Sequence, residues 1–253
     1  MPKLSANLSW LFTELDFEDR FQAAAHAGFR GVECLFPYAT PAARVARLLE
    51  AGGLEMALIN APPGDWESGD RGLGAVDGRQ GDFMDSIEAA VAYAGAVGCR
   101  RVHVMAGIGG DRAVFVDNLR IAADICGRAG IKALIEPLNE IDMPGYFLGS
   151  AAQAMEIIWD VGSPNLGLQL DLYHVHMWGG DGAAAIDDCA GQIGHVQIAG
   201  APGRAEPDSG ALDYGPLLER LDNTGYDGWI GCEYRPRDGT LAGLGWASAY
   251  GIG

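Results

Sequence analysis

The stretch "LDLYHVHMWG" (170–179) places Asp171, His174 and His176 within six residues, directly after an apolar run. Such spacing invites a metal ion, yet one short segment supplies too few ligands to hold it. Three further oxygen-bearing side chains close comparable β-prone runs: Glu136 in "KALIEPLN", Gln197 in "IGHVQIAG" and Glu233 in "GWIGCEYRP". With Asp171 they make three carboxylates and one amide. Buried side by side, three like charges repel strongly unless a cation lies between them. Oxygen donors are hard ligands that favour Mg²⁺ or Mn²⁺ over zinc, which prefers His and Cys. The pattern therefore predicts one divalent cation, Mg²⁺ or Mn²⁺, held by Glu136, Asp171, Gln197 and Glu233, with open positions for substrate oxygens.

A cation bridging the carbonyl and hydroxyl oxygens of an α-hydroxycarbonyl acidifies the carbon-bound hydrogen and stabilises the enediolate left behind. A carboxylate on each face can remove that proton and return it at the neighbouring carbon. Glu136 and Glu233 are the candidate catalytic pair. The predicted reaction is an aldose–ketose type isomerisation, or an epimerisation through the same intermediate.

The elements that must position these residues alternate along the chain. Eight β-prone runs fall at 3–9, 31–36, 54–61, 101–107, 132–139, 166–174, 193–200 and 228–236. Amphipathic, Ala-rich stretches such as "PAARVARLLEAGG" and "FVDNLRIAADICGRAG" separate them and end in Gly, as helix C-termini do. Eight units in 253 residues, without a composition break, predict an α/β fold: a single (β/α)8 TIM barrel domain over 1–253. In such barrels the active site lies at the C-terminal ends of the strands. The four candidate ligands fall there, on consecutive strands five to eight. Residues two apart share a face of a strand, so Gln169 with Asp171, and His195 with Gln197, should point into the barrel.

Composition narrows the partners. Seventeen Lys and Arg against 34 Asp and Glu give a net charge of −17, which opposes broad binding to phosphate backbones, so no nucleic acid is expected. No apolar run reaches membrane-spanning length, and the N-terminus lacks an apolar signal core, so no membrane partner is expected either. Five dispersed cysteines without a CxxC pair read as reduced core thiols of a cytoplasmic protein.

The chain also resembles the hydroxypyruvate isomerase and 2-oxo-tetronate isomerase family, within the xylose isomerase-like barrels. The resemblance runs almost end to end. It is carried by "ANLSWLFTE" (6–14), "GFRGVECLFPY" (28–38), "INAPPGDWESGDRGL" (59–73), "IEPLN" with "DMPGYFL" (135–148), "LDLYH" (170–174), "HVQIAGAPGR" with "EPDSG" (195–210), and "YDGWIGCEYRP" with "GLGWA" (226–247). It implies the same four metal ligands and Glu136 and Glu233 as proton donor and acceptor. The activity implied is interconversion of hydroxypyruvate and tartronate semialdehyde, or of a similar short 2-oxo sugar acid. It further implies that His174 contacts substrate oxygens, while His176 is assigned no role. The substrate would be a small anionic sugar acid, its carboxylate bound by Arg204 at the family's "PGR" position, or by Arg71 in "GDRG". His103 is either a donor behind a ligand or an ordinary interior histidine.

Three departures from the family pattern fall on mouth loops: Ile141 where the family carries Arg, Ala205 where it carries His, and "VHMWGGD" at 175–181. They bear on the substrate more than on the chemistry. Alternatives remain: a ketose 3-epimerase or other sugar isomerase, a zinc-cluster hydrolase on a related barrel, or a binding protein on a barrel that has lost turnover. Assembly into a homo-oligomer is left open.

Overall fold

The computed structural model describes residues 2–253. Eight parallel strands close into a barrel in sequence order: β1 (Lys3–Asn7), β2 (Gly31–Cys34), β3 (Glu55–Asn60), β4 (Arg101–His103), β5 (Lys132–Ile135), β6 (Leu166–Asp171), β7 (Ile193–Ile198) and β8 (Trp229–Cys232). Each lies within a β-prone run of the sequence, so the predicted (β/α)8 barrel is borne out. Several strands end earlier than their apolar runs. The run 166–174 shows why: Asp171 leaves the strand and its Oδ1 accepts the backbone N–H of Tyr173 at 2.8 Å, starting a helix at once.

The helices are α1 (Phe17–His26), α2 (Ala42–Gly52), α3 (Gln80–Val97), α4 (Arg112–Arg128), α5 (Ala151–Val161), α6 (Leu172–Met177), α7 (Gly182–Cys189) and α8 (Tyr214–Asn223). Two helices separate β6 from β7, and a 3-10 helix (Leu241–Tyr250) follows β8. Side-chain caps fix several starts. Asp111 accepts the N–H groups of Ala113 and Val114 (2.8 and 3.0 Å), and Asp181 caps α7 in the same way. Helix α2 stops at Gly53, whose φ of 60° suits glycine.

Two cores result from strand alternation. The outward faces of the strands and the inner faces of the helices share one apolar cluster containing Phe21, Val32, Phe83, Phe115, Ile157 and Ile230. The inside of the barrel is polar: Ser5, Asn7, Glu33, His103, Gln169, His195 and Gln197 are all buried. Strand register fixes their neighbours, with Asp171 beside Gln197, Gln197 beside Gly231, Gly231 beside Ser5, and Asn7 beside Glu33. The β2–β3 register shifts between Val32 and Glu33, where Ala57 of β3 is the extra residue, and the β6–β7 register shifts between Leu168 and Gln169, where Gly194 of β7 is extra. Such irregularities re-aim side chains, and each immediately precedes a member of the interior polar set.

Because Asp111 contributes only to the helix start, Asp111→Ala should cost about 1 kcal/mol. Thermal unfolding should then show Tm lower by roughly 2–4 °C, with catalytic constants unchanged.

Candidate active site

Glu136 stands one residue beyond β5, Asp171 ends β6, Gln197 lies in β7, and Glu233 follows β8. All four are at most 5% exposed. The helix cap on Asp171 uses Oδ1 and turns Oδ2 toward the mouth, where it lies 3.4 Å from Arg204 Nη2. The same Nη2 is 3.3 Å from Glu233 Oε2. Arg204 thus sets one positive charge between the two carboxylates, and its Nη1 reaches Asp142 at 3.5 Å. Its backbone has φ 50°, a left-handed conformation that costs a non-glycine residue about 1 kcal/mol. Strain of this kind persists where surrounding contacts hold the side chain in place.

One cation does not settle the electrostatics. Burial, reinforced by Glu233 and Asp171, raises the proton affinity of Glu136 well above the usual carboxylate range. Burial pushes Glu233 up to about 8 against the opposing pull of Arg204, and Asp171 up to about 6. For Arg204 burial favours the neutral form, but Glu233, Asp171 and Glu136 outweigh it and raise its pKa. A divalent cation would relieve the remaining repulsion.

Buried polar atoms without partners point the same way. Among the described residues these include Glu136 Oε1, both ring nitrogens of His103, Trp10 Nε1, Asn60 Oδ1 and Gln169 Oε1. Trp10, Asn60, His103 and Glu136 line a cavity of about 400 Å³ at the strand C-termini. Orphaned groups facing one cavity are what a ligand-binding site presents before it is filled. A larger hollow of about 560 Å³ lies between α5, α6 and α7; His174 lines both cavities, whereas Asp171 lines this one and not the smaller. It is mainly apolar and none of its lining residues carries an orphaned buried polar atom, so the smaller cavity is the candidate site.

Donor atoms of Glu136, Asp171 and His174 lie within 4.8 Å of one another. Distance alone would make His174 a ligand, but its hydrogen bonds argue otherwise. Its Nδ1 accepts the backbone N–H of Asn139 at 3.1 Å, and Asn139 Nδ2 lies 2.6 Å from the same nitrogen. The Asn139 side chain is oriented by its own Oδ1, which accepts the N–H groups of Ile141 and Asp142. Burial, with help from Arg204 and His103, holds the His174 proton affinity well below the ordinary value. The neutral ring therefore carries its hydrogen on Nε2, 3.6 Å from Asp171 Oδ2. His174 is a hydrogen-bond donor aimed into the site.

Gln197 sits beneath the carboxylates, fully buried. Its Nε2 donates to Glu33 (2.8 Å) and its Oε1 accepts from Gln169 Nε2 (2.7 Å), leaving the carbonyl oxygen further acceptor capacity. The donor set as a whole fits a hard divalent cation: three carboxylates, an amide oxygen and no cysteine.

The other sequence candidates separate clearly. His103 is buried with Nδ1 3.4 Å from Glu136 Oε2, and burial holds its pKa down to about 3. Arg71 stacks on Trp66 at 3.8 Å, donates to the carbonyls of Trp66 and Asp70, and does not line the cavity. Ile141 is 69% exposed, and His176 lies half-buried in α6. Sequence reasoning missed Trp10, Asn60 and Arg235. The guanidinium carbons of Arg204 and Arg235 lie 4.7 and 5.0 Å from the Trp10 ring centroid. No carboxylate pairs with Arg235 among the described residues, although it lines the cavity. Its place two residues after Glu233, on the same face, was a readable signal.

Residues 21–250 match the family model of the xylose isomerase-like TIM barrels. A 2-oxo-tetronate isomerase from Cupriavidus necator is 51% identical over 99% of both chains. The chain belongs to the hydroxypyruvate isomerase family of enzymes. Within that family the Escherichia coli hydroxypyruvate isomerase is 42% identical across 99% of this chain and all of its own. The crystal structure of an AP endonuclease, family 2, from Brucella melitensis superposes with a TM-score of 0.97 at 46% identity, covering 99% of each chain.

The raised carboxylate pKa values carry a sign. Unfolded glutamate titrates near 4.5 and folded Glu233 at about 8, so between them the folded chain holds a proton that the unfolded chain has released. Stability contributed by that proton is present at low pH and lost as pH rises through this window. After chelator treatment, Tm should fall by at least about 5 °C from about pH 5 to about pH 8. Added Mn²⁺ should raise Tm most at the alkaline end. A metal-free Tm that stays level across the range would show that Arg204 already neutralises the cluster.

Proposed function

We propose that the chain is a metal-dependent isomerase that interconverts hydroxypyruvate and tartronate semialdehyde, or a similar short 2-oxo sugar acid. The observation that carries this reading is the pairing of two buried glutamates, Glu136 and Glu233, from strands β5 and β8 around one cavity. The names of the relatives at 51% and 42% identity support the reaction class. Mg²⁺ or Mn²⁺ held by Glu136, Asp171, Gln197 and Glu233 would polarise the substrate carbonyl and steady the negative charge of an enediolate.

The chain's own residues then divide the work. One glutamate takes the proton from C3 of hydroxypyruvate and the other delivers a proton to C2, while the hydroxyl proton passes from O3 to O2. Each glutamate could ligate the cation through one oxygen and keep the other for proton transfer at carbon. His174 donates its Nε2 hydrogen to a substrate oxygen. Arg204 and Arg235, both stacked on Trp10, bind the substrate carboxylate. Arg235 is the stronger anchor, because Asp171, Glu233 and Asp142 already share Arg204. Arg71 instead secures the Trp66 loop at the cavity wall.

All five cysteines are buried free thiols, which supports a reducing, cytoplasmic setting. Among the described residues no helix is long and apolar enough to cross a membrane.

Proton NMR of hydroxypyruvate in D₂O tests the reaction. Aldehyde signals and deuterium incorporation should appear with Mg²⁺ or Mn²⁺ and vanish with chelator. Glu136→Gln and Glu233→Gln should each lower kcat by about 10²–10⁴-fold. Turnover of a neutral ketohexose without turnover of hydroxypyruvate would replace this reading with a ketose 3-epimerase.

The same assay separates the two arginines. Arg235→Met should raise KM for hydroxypyruvate about tenfold or more, with a smaller change in kcat. An unchanged KM would return the carboxylate to Arg204.

A further inference from the structure

Glu33 has no place in the chemistry described so far, yet it is 1% exposed and sits at the centre of the polar barrel interior. Its carboxylate accepts hydrogen bonds from Ser5 Oγ (3.0 Å), Asn7 Nδ2 (3.1 Å) and Gln197 Nε2 (2.8 Å). His195 Nε2 lies 2.8 Å from Oε2. Glu33 belongs to β2 and Gln197 to β7, so the side chain spans the barrel past β1 and β8.

Space for that crossing comes from β8. A Cβ on Gly231 would lie 2.5 Å from Glu33 Oε2 and 2.7 Å from Cδ, closer than carbon and carboxylate can approach. Gly231 is not among the residues with positive φ, so backbone freedom does not account for this glycine. Room for the Glu33 carboxylate does.

Ser5, Asn7 and Gln197 all donate to Glu33, so its carboxylate acts as an acceptor and distinguishes the two ends of an amide. Facing Glu33, Gln197 must present its NH₂ group, and its carbonyl oxygen turns to the opposite side. Gln169 Nε2 meets that oxygen at 2.7 Å, and Gln169 also lies against Glu136, whose proton affinity it lowers. We propose that Glu33 is the positioning residue of Gln197, fixing its carbonyl oxygen as the end of the amide offered to the metal. The inference rests on the metal site proposed above. Replacing the carboxylate with an amide removes the discrimination. Gln197 could then turn over and offer NH₂ to the cation, with Gln169 turning to accept from it.

Calorimetric titration with Mn²⁺ on the full chain tests this, with circular dichroism and Tm of each variant as controls for folding. Glu33→Gln, nearly isosteric, should weaken Mn²⁺ binding by about 10- to 100-fold. Gly231→Ala should weaken it likewise, by displacing Glu33 without altering any ligand. The exchange variant Glu33→Gln/Gln197→Glu should recover most of the lost affinity, because the amide now at position 33 donates to a carboxylate at 197. The single variant Gln197→Glu supplies the comparison: a fourth carboxylate favours Mn²⁺ by itself, so the role of Glu33 is read from the affinity of the exchange variant exceeding that of Gln197→Glu alone. Parent-level Mn²⁺ affinity in Glu33→Gln, or loss without recovery in the exchange variant, would overturn the inference alone. Absence of Mn²⁺ binding by the parent chain would overturn the metal site and this inference with it.

Discussion

Glu136, Asp171 and Glu233 are buried together, and each negative charge raises the cost of ionising the next. Desolvation makes the problem severe, since a carboxylate withdrawn from water needs either a proton or a cation. The molecule supplies part of the answer from within. Arg204 places Nη2 between Asp171 and Glu233 and accepts an unfavourable backbone conformation to do so. A guanidinium delivers one charge over a broad plane, whereas the cluster has three acids. The residual demand for positive charge is what makes the site chemically interesting.

The barrel meets this demand with an interior that is largely polar, Leu58 and Leu134 being apolar exceptions beside Glu33 and His103. Outward-facing strand residues and helix faces carry the apolar core, so most of the stability from apolar burial is generated away from the site. That frees the inside of the barrel to be polar. Each interior group then needs a partner, and most find one across the barrel: Ser5, Asn7, His195 and Gln197 all converge on Glu33. The polar groups left without partners concentrate at the mouth. A cavity lined by satisfied groups would have no affinity to spare, so this uneven distribution is itself a functional feature.

How far the sequence could be read depended on the range of the contacts involved. Strand positions were legible because alternation and Gly-ended helical stretches are local signals. The strand-end positions of Glu136, Asp171, Gln197 and Glu233 were legible because they repeat one local feature, a polar residue closing a β-prone run, four times running. Glu33 carries a similar signal in "GVEC", but its meaning depends on partners 162 and 164 residues away and on an irregular register beside Val32. The state of His174 was hidden for a related reason: it is set by a backbone N–H of Asn139, 35 residues earlier. Arg71 stood second to Arg204 as a cation near the mouth. Only the path of its loop shows that it spends its hydrogen bonds on Trp66 and Asp70.

The gap above Gly231 has a consequence for how this protein can change over time. A side chain that reaches across a barrel makes the strand it passes over part of its own environment. Positions 33 and 231 are therefore sterically coupled, although they lie near opposite ends of the chain. Any residue larger than glycine at 231 displaces the Glu33 carboxylate, and a shorter residue at 33 abandons the hydrogen bonds to β1 and β7. The constraint is one-sided: enlarging 231 meets the Glu33 carboxylate, whereas shortening 33 meets no steric barrier and costs hydrogen bonds. A barrel with a shorter residue at 33 would hold the amide of its seventh strand by some other means.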